Sequence, residues 1–218
     1  MKKKQTQIIL SICLLILFML WPVLLHFVDR QAIGPLESMV GLASLNQAVH
    51  KLTGVHMVLY QITDWLGLVP FCMIAGFASL GLYQWIRRKH LLKVDFSILI
   101  LGTFYIVVFA IYFFFEFFVV NCRPVLIEGI LEPSYPSSTT MLVLCVMPTA
   151  IMQFRLRIRN SVFRHCVIDS MAVFSAFMVI GRLLSGVHWF TDIVGGILLS
   201  SGLVLLYRVI SNLDIHSK

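Results

Sequence analysis

The sequence is dominated by apolar segments that are each about as long as a bilayer-spanning helix. A helix that crosses the hydrocarbon core of a membrane needs about 20 mostly apolar residues. Six such segments are present, and 59% of the 218 residues are hydrophobic while only 12% are charged. A soluble domain carries about twice that charged fraction. The sequence therefore excludes a soluble enzyme, a disordered chain and a nucleic-acid-binding module, and it predicts an all-α integral membrane protein.

The six predicted spans occupy the chain from end to end, and we interpret residues 1–218 as a single membrane domain. The spans are Gln7–Val28, Met57–Ile86, Phe96–Val120, Thr140–Phe154, Phe163–Ile180 and Phe190–Ile210. Asp64 and Pro70 interrupt the second span, and the fourth is short. The first span follows three lysines, as a signal peptide would. No small-residue cleavage site follows its long apolar run, so we interpret it as an uncleaved first helix.

The basic residues are unevenly distributed among the segments that connect these spans. Loops rich in Lys and Arg face the cytoplasm in most membrane proteins. Under one orientation, thirteen of the 17 basic residues are cytoplasmic: Lys2, Lys3, Lys4, Arg87, Arg88, Lys89, Lys93, Arg155, Arg157, Arg159, Arg164, Arg208 and Lys218. The exceptions are Arg30, Lys51, Arg123 and Arg182. The pattern predicts a cell-membrane protein with both termini inside, and it explains the net charge of +7 without a nucleic-acid partner.

The same orientation places several polar segments together on the outer face of the membrane. Asn121–Pro124 follows the third span, Ser134–Thr140 leads into the fourth, and Gly181–Asp192 joins the fifth to the sixth. Charged residues at the edge of a membrane are costly and indicate function. The segment Asp29–His56 is also outward, and its apolar run Met39–Ala43 predicts a short interfacial helix.

These segments contain side chains that suit a phosphate site. His188 and Asp192 are four residues apart, so they share a helix face if the sixth span begins near His188. A carboxylate bound to one imidazole nitrogen fixes the tautomer and leaves the other nitrogen free as base or nucleophile. Arg123 and Arg182 offer planar guanidinium groups that match phosphate oxygens. The residues Pro136–Thr139 predict a turn that opens a helix, whose N-terminus favours anions. Each feature alone is more typical of an interfacial anchor or a helix cap, but their combination predicts phosphate chemistry.

On these residues the chain resembles the type 2 phosphatidic acid phosphatase (PAP2) superfamily of membrane lipid phosphatases. That family shows Lys-x6-Arg-Pro, then Pro-Ser-Gly-His, then Ser-Arg-x5-His-x3-Asp. The matching residues are Arg123 and Pro124 in the first motif, Pro136 and Ser137 in the second, and Arg182, His188 and Asp192 in the third. The resemblance covers roughly Phe96–Ile210, with the motifs within residues 116–192. It implies a six-helix PAP2-type fold whose site faces outward, as in bacterial members.

The resemblance also implies a lipid phosphatase or phosphotransferase that needs no metal and no cofactor. His188 would accept the phosphoryl group as a phosphohistidine, and Asp192 would orient it. The phosphate oxygens would be bound by Arg123, Arg182, Ser137, Ser138 and Thr139. The implied substrate is a lipid phosphate or diphosphate of the outer leaflet, such as polyprenyl diphosphate, phosphatidate or phosphatidylglycerol phosphate.

Three positions depart from the family motifs. Glu116 stands at the position of the first-motif Lys, Thr139 at that of the His that protonates the leaving group, and Gly181 at that of the Ser before Arg182. General acid catalysis typically contributes about 10²–10⁴-fold. Outward-facing residues that could replace the acid are Glu116, Glu128, Glu132, His50 and His56. The departures keep a second hypothesis open, namely a weak or inactive relative that binds phospholipid headgroups or partners.

Overall fold

The computed structural model describes residues 2–211, and most of them lie in α-helices. The helices are α1 (Lys2–Phe27), α2 (Ala43–Thr53), α3 (Met57–Leu66), α4 (Leu68–Arg88), α5 (Phe96–Phe117), α6 (Ser138–Arg157), α7 (Ser161–Leu184) and α8 (Phe190–Ser211). The strands β1 (Gln31–Ala32) and β2 (Met39–Val40) form a short antiparallel hairpin between α1 and α2. Lys218, which contributes to the charge asymmetry, lies outside the described residues.

Six helical segments of the described chain are long and apolar enough to cross a membrane, which confirms the predicted multi-pass membrane protein. The fourth span is longer than predicted, because α6 has 20 residues. The residues that extend it beyond the prediction, Ser138, Thr139 and residues 155–157, are mostly polar, whereas its buried residues lie between Thr140 and Gln153. The third span ends at Phe117, three residues before the predicted end at Val120.

The second span consists of two consecutive helices, α3 and α4, which meet at Gly67. Pro70 explains the interruption, because a proline ring clashes with the carbonyl four residues earlier and its nitrogen cannot donate a hydrogen bond. The residue four positions before Pro70 is Leu66, where α3 ends. The amide of Gly67 donates to the carbonyls of Thr63 and Asp64, so the chain continues from one helix into the next.

The interfacial helix predicted at Met39–Ala43 is wrong in position. Met39 and Val40 form β2, and the helix of this segment, α2, begins only at Ala43. Leu42 has left-handed backbone angles (φ 47°, ψ 46°), and Gly41 packs so closely on α1 that a Cβ would lie 1.9 Å from the carbonyl oxygen of Leu25. Val40 is fully buried, and the residue after it, Gly41, makes the close contact with α1.

Helices α6 and α8 occupy the centre of the bundle, and α8 also packs along α1. Two glycines of α8 allow the first turn of α6 and the segment before it to approach closely. A Cβ on Gly195 would lie 2.4 Å from the ring of Tyr135, and one on Gly196 would lie 3.1 Å from the methyl group of Thr140. This close packing fixes the start of α6 beside the start of α8.

The three polar segments lie at one end of the bundle, and α1 begins and α8 ends at the other. At the first end, the indole of Trp21 donates to the carbonyl of Thr191 (3.2 Å), which ties the end of α1 to the start of α8. At the opposite end, Asp95 pairs with Arg88 (2.9 Å) and lies 3.8 Å from Arg157. The described part of the chain thus separates the polar segments from most of its basic residues.

Candidate active site

The connection between α7 and α8 holds His188 in a fixed position. Gly186 has a positive φ of 69°, and a Cβ there would lie 1.9 Å from the carbonyl oxygen of Gly54. Only glycine fits such a close approach in this backbone conformation. The turn brings His188 back toward the bundle just before α8 begins, and its side chain is buried.

The imidazole of His188 presents one nitrogen with a free lone pair. Its Nδ1 lies 3.1 Å from the carbonyl oxygen of Ser134. Since a carbonyl only accepts, Nδ1 carries the hydrogen and Nε2 keeps its lone pair. Nε2 is buried and has no hydrogen-bond partner among the described residues. Burial, reinforced by the positive charges of Arg123 and Arg182, holds the pKa of His188 well below its usual range. The imidazole is therefore neutral near pH 7.

The carboxylate of Asp192 forms its hydrogen bonds with the turn and with Asn121, and not with the imidazole of His188. Its Oδ2 accepts a hydrogen bond from the amide of Trp189 (3.0 Å), and its Oδ1 accepts one from Asn121 (3.4 Å). The distance from Oδ2 to Nδ1 of His188 is 3.8 Å, which is too long for a hydrogen bond. The sequence predicts a carboxylate–imidazole hydrogen bond, but the carbonyl of Ser134 takes that place.

Arg182 lies in the last turn of α7 and is almost fully buried, with 1% of its surface exposed. Its Nη1 lies 3.4 Å from the hydroxyl of Thr63 and 3.5 Å from the carboxylate of Asp64, and its Cζ lies 4.9 Å from the centre of the Tyr60 ring. All three partners belong to α3. A Cβ added to Gly181 would lie only 2.8 Å from the Thr63 methyl group. The glycine at the family's Ser position thus lets α3 approach Arg182.

Arg123 lies in the segment between α5 and α6 and approaches the same ring. Its Nε lies 2.9 Å from the carboxylate of Glu132, and its Cζ lies 5.7 Å from the centre of Tyr60. Its amide also donates to the carbonyl of Glu132 (3.0 Å), which closes the loop. Its Nη1 is buried and has no hydrogen-bond partner among the described residues. The Tyr60 ring is therefore in contact with both guanidinium groups.

The turn predicted to open the fourth span is confirmed, because α6 begins at Ser138 with Ser137 as its N-cap residue. The amide of Ser137 donates to the main-chain carbonyl of Asp192 (3.1 Å). The hydroxyl oxygens of Ser137 and Thr140 are buried without a hydrogen-bond partner in residues 2–211. The start of this helix thus offers the free amide groups that favour an anion.

A cavity of about 370 Å³ joins these groups. Its lining residues are Asp64, Tyr112, Phe115, Glu116, Arg123, Glu132, Pro133, Ser134, Tyr135, Pro136, Ser138, Thr139, Met141, Arg182 and His188. Of the predicted site residues, Ser137 and Asp192 do not line the cavity, and both are fully buried beside it. No group of three or more possible metal ligands occurs in the described part of the chain.

The cavity separates the alternative proton donors into two groups. Glu116 and Glu132 line it, whereas Glu128, His50 and His56 do not. His50 is hydrogen-bonded through Nε2 to the carbonyl of Gly186 (3.0 Å), and the Nε2 of His56 lies 2.9 Å from the carbonyl of Thr53. Two of the five residues therefore have access to a ligand bound between the arginines.

The contribution of α3 to the site is not evident from the sequence. Arg182 is in contact with Tyr60, Thr63 and Asp64. Of these three residues, only Asp64 is conspicuous in the sequence, as a charged residue that interrupts the second span. A carboxylate within an apolar span is itself a signal of function. Tyr60 is four residues before Asp64 and so lies on the same helix face.

The structure of the whole chain is similar to a solved membrane phosphatase. A crystal structure of a transmembrane PAP2-type phosphatidylglycerolphosphate phosphatase from Bacillus subtilis matches 95% of this chain and 98% of that chain, with a TM-score of 0.62 and 17% sequence identity. No protein-family model matches the chain, and no curated protein sequence matches it. The chain has the fold of the PAP2-type membrane phosphatases, as the motif resemblance implies.

Proposed function

We propose that the protein is a PAP2-type lipid phosphatase or phosphotransferase that works through a phosphohistidine on His188. One observation carries the proposal: the free Nε2 of His188 and the guanidinium groups of Arg123 and Arg182 line one cavity at the start of α6. Buried donors without partners are costly, and a phosphate has acceptor oxygens for several of them. The similarity of fold to a PAP2-type phosphatase supports the same function.

The proposed reaction has two steps. In the first, the lone pair of His188 Nε2 attacks phosphorus, an N–P bond forms and the P–O bond to the lipid leaving group breaks. Arg123 and Arg182 stabilise the charge that develops on the phosphoryl oxygens. In the second step, water attacks phosphorus, the electron pair of the N–P bond returns to Nε2, and the phosphate is released as H2PO4⁻ with both protons of the water. The hydrogen bond from Nδ1 to the carbonyl of Ser134 keeps Nε2 unprotonated before the attack.

The leaving group determines which substrate suits this site. A phosphate monoester releases an alkoxide, which needs a proton, and Thr139 cannot supply one near neutral pH. A diphosphate releases a phosphate monoester, whose second pKa is about 6, so that group leaves without a proton. A lipid diphosphate is therefore expected to be a better substrate than phosphatidate for a chain with threonine at this position.

The proposed orientation places the cavity at the outer leaflet and both termini in the cytoplasm. The distribution of basic residues supports this orientation, because they are concentrated at the end of the bundle that lies away from the cavity. A cysteine introduced near Ser134, at the exposed residue Ile130 of the segment between α5 and α6, reports on the cavity end, and it is expected to react with a membrane-impermeant reagent in intact cells. Reaction only after permeabilisation would contradict the orientation.

The decisive experiment is phosphate release by the purified protein from a panel of lipid phosphates and diphosphates. His188→Ala is expected to abolish release, and acid-labile phosphate should be trapped on the wild type. His165→Ala is the matched control, since His165 is exposed in the first turns of α7, away from the cavity. Activity retained by His188→Ala would overturn the mechanism. Binding of phospholipid headgroups without any turnover would favour the inactive relative instead.

A further inference from the structure

Helix α7 carries an ionisable side chain on the surface that it exposes within the membrane. The helix is one of the candidate spans, and Asp169 is one of its exposed residues. The ends of α7, at Ser161 and Leu184, lie about 12 Å and about 22 Å from Asp169 along the helix axis. An aspartate side chain is too short to reach a membrane surface in the way that Lys and Arg do. None of the ion pairs among residues 2–211 includes Asp169, so a partner from outside this chain is needed.

The same face of α7 has the residue spacing of a helix–helix interface. Five exposed residues, separated alternately by three and four positions, form what we call the α7 stripe: Val162, His165, Asp169, Ala172 and Ala176. Such alternation keeps side chains on one line along a helix, as in the seam between two packed helices. Ala172 and Ala176 are small, and small residues four positions apart allow two membrane helices to approach closely. The α7 stripe is therefore suited to contact with another helix.

The α7 stripe also contains a base that can pair with the carboxyl group of Asp169. His165 lies one helical turn before Asp169 on the same face. Its Nδ1 donates to the carbonyl of Ser161 (2.7 Å), and the ion pairs of the described chain include none between His165 and Asp169. Nε2 is the imidazole nitrogen that remains for a partner. Each stripe thus offers one acid and one base at neighbouring depths, so two stripes complement each other without a foreign cation.

We infer that a second copy of this chain packs against the α7 stripe, with Asp169 of each copy paired to His165 of the other. Two copies in one membrane have the same orientation, so a two-fold axis between them runs along the membrane normal. The two α7 helices are then parallel, and equal residues meet at equal depth. The axis forms the acid–base pair twice, which leaves neither carboxyl group facing lipid.

The inference does not depend on the chemistry at His188. Asp169 lies about 20 Å along α7 from Arg182, and no residue of the α7 stripe lines the cavity. Loss of the dimer is therefore expected to leave phosphate release by each copy unchanged.

The test measures association of the purified full chain in lipid vesicles. Donor and acceptor fluorophores are attached at the C-terminus of two batches of protein, and energy transfer between them is followed as the protein is diluted with lipid. The proteins are the wild type, Asp169→Ala, His165→Ala and the control Thr103→Ala, whose threonine is exposed on α5. The wild type and Thr103→Ala are expected to form dimers. Each stripe variant lacks both acid–base pairs and is expected to dissociate at about a tenfold higher protein-to-lipid ratio.

A mixture of the two stripe variants tests whether the pairs cross between copies. A mixed dimer of Asp169→Ala with His165→Ala retains one pair, because each protein supplies the group that the other lacks. The mixed dimer is expected to form at a lower protein-to-lipid ratio than a dimer of either variant alone. A monomeric wild type would overturn the inference, as would a dimer that Asp169→Ala does not weaken. Equal association of the mixture and of the single variants would also overturn it, because the acid and the base would then interact within one helix.

Discussion

Replacement of Tyr60 by leucine is expected to weaken phosphate binding while the bundle stays folded. The Tyr60 ring lies 4.9 Å from the Cζ atom of Arg182 and 5.7 Å from that of Arg123. Two positive groups so close together repel each other, and the electron-rich ring offsets part of that repulsion. In the proposed site, Tyr60 is therefore expected to be a positioning residue, because its ring contacts both guanidinium groups.

The magnitude follows from burial. A cation–π contact contributes about 0.5–1 kcal/mol when exposed and about 2 kcal/mol when desolvated. Arg182 is 1% exposed and is also held by Thr63 and Asp64, whereas Arg123 is 9% exposed and farther from the ring. Leucine restores part of the packing but none of the cation–π attraction. We expect a net loss of about 1–2 kcal/mol, which is about a 5- to 30-fold change in affinity.

The assay measures KM and kcat for phosphate release, together with the inhibition constant of inorganic phosphate. Tyr60→Leu should raise KM and the inhibition constant in parallel, whereas Tyr60→Phe keeps the ring and should resemble the wild type. Tyr83→Leu is the control, because Tyr83 is exposed on α4. A wild-type inhibition constant in Tyr60→Leu would refute the reasoning. So would an equal defect in Tyr60→Phe, because the hydroxyl rather than the ring would then matter.

Four further predictions concern the cavity and its supports. Arg182→Lys should lower kcat/KM at least about tenfold, measured by phosphate release, because an ammonium cannot replace a planar, stacked guanidinium; wild-type kinetics would contradict this. Thr139→His should raise kcat/KM for monoesters more than for diphosphates, and an unchanged ratio would show that another group supplies the proton. Because the pKa of His188 is lowered, its imidazole NMR signals, assigned by their loss in His188→Ala, should not titrate between about pH 8 and about pH 6.5, and a titration there would contradict a neutral imidazole. Gly186→Ala should lower the thermal unfolding temperature in detergent more than Gly129→Ala, since both have positive φ but a Cβ at Gly129 meets no atom within 4 Å.

The outline of the fold is determined by the sequence alone. In a bilayer, a segment of about 20 apolar residues must satisfy its backbone hydrogen bonds internally, so it forms a helix wherever it occurs. That local requirement explains why six spans could be counted without knowledge of their partners. The motif formed by Arg182, His188 and Asp192 is also visible in the sequence, because it lies in one short stretch of chain. That stretch comprises the last turn of α7, the connection that follows, and the first turn of α8.

The tertiary structure decided which groups complete the site. Thr63 contacts Arg182 although the two are 119 positions apart, and the imidazole of His188 binds a carbonyl 54 positions away, that of Ser134. Such partners depend on how the helices pack, and no local pattern encodes that packing. The same holds for the proton donors, since Glu116 and Glu132 reach the cavity while Glu128 does not. In a membrane helix an apolar pattern fixes depth in the bilayer, but close packing between helices determines which faces meet.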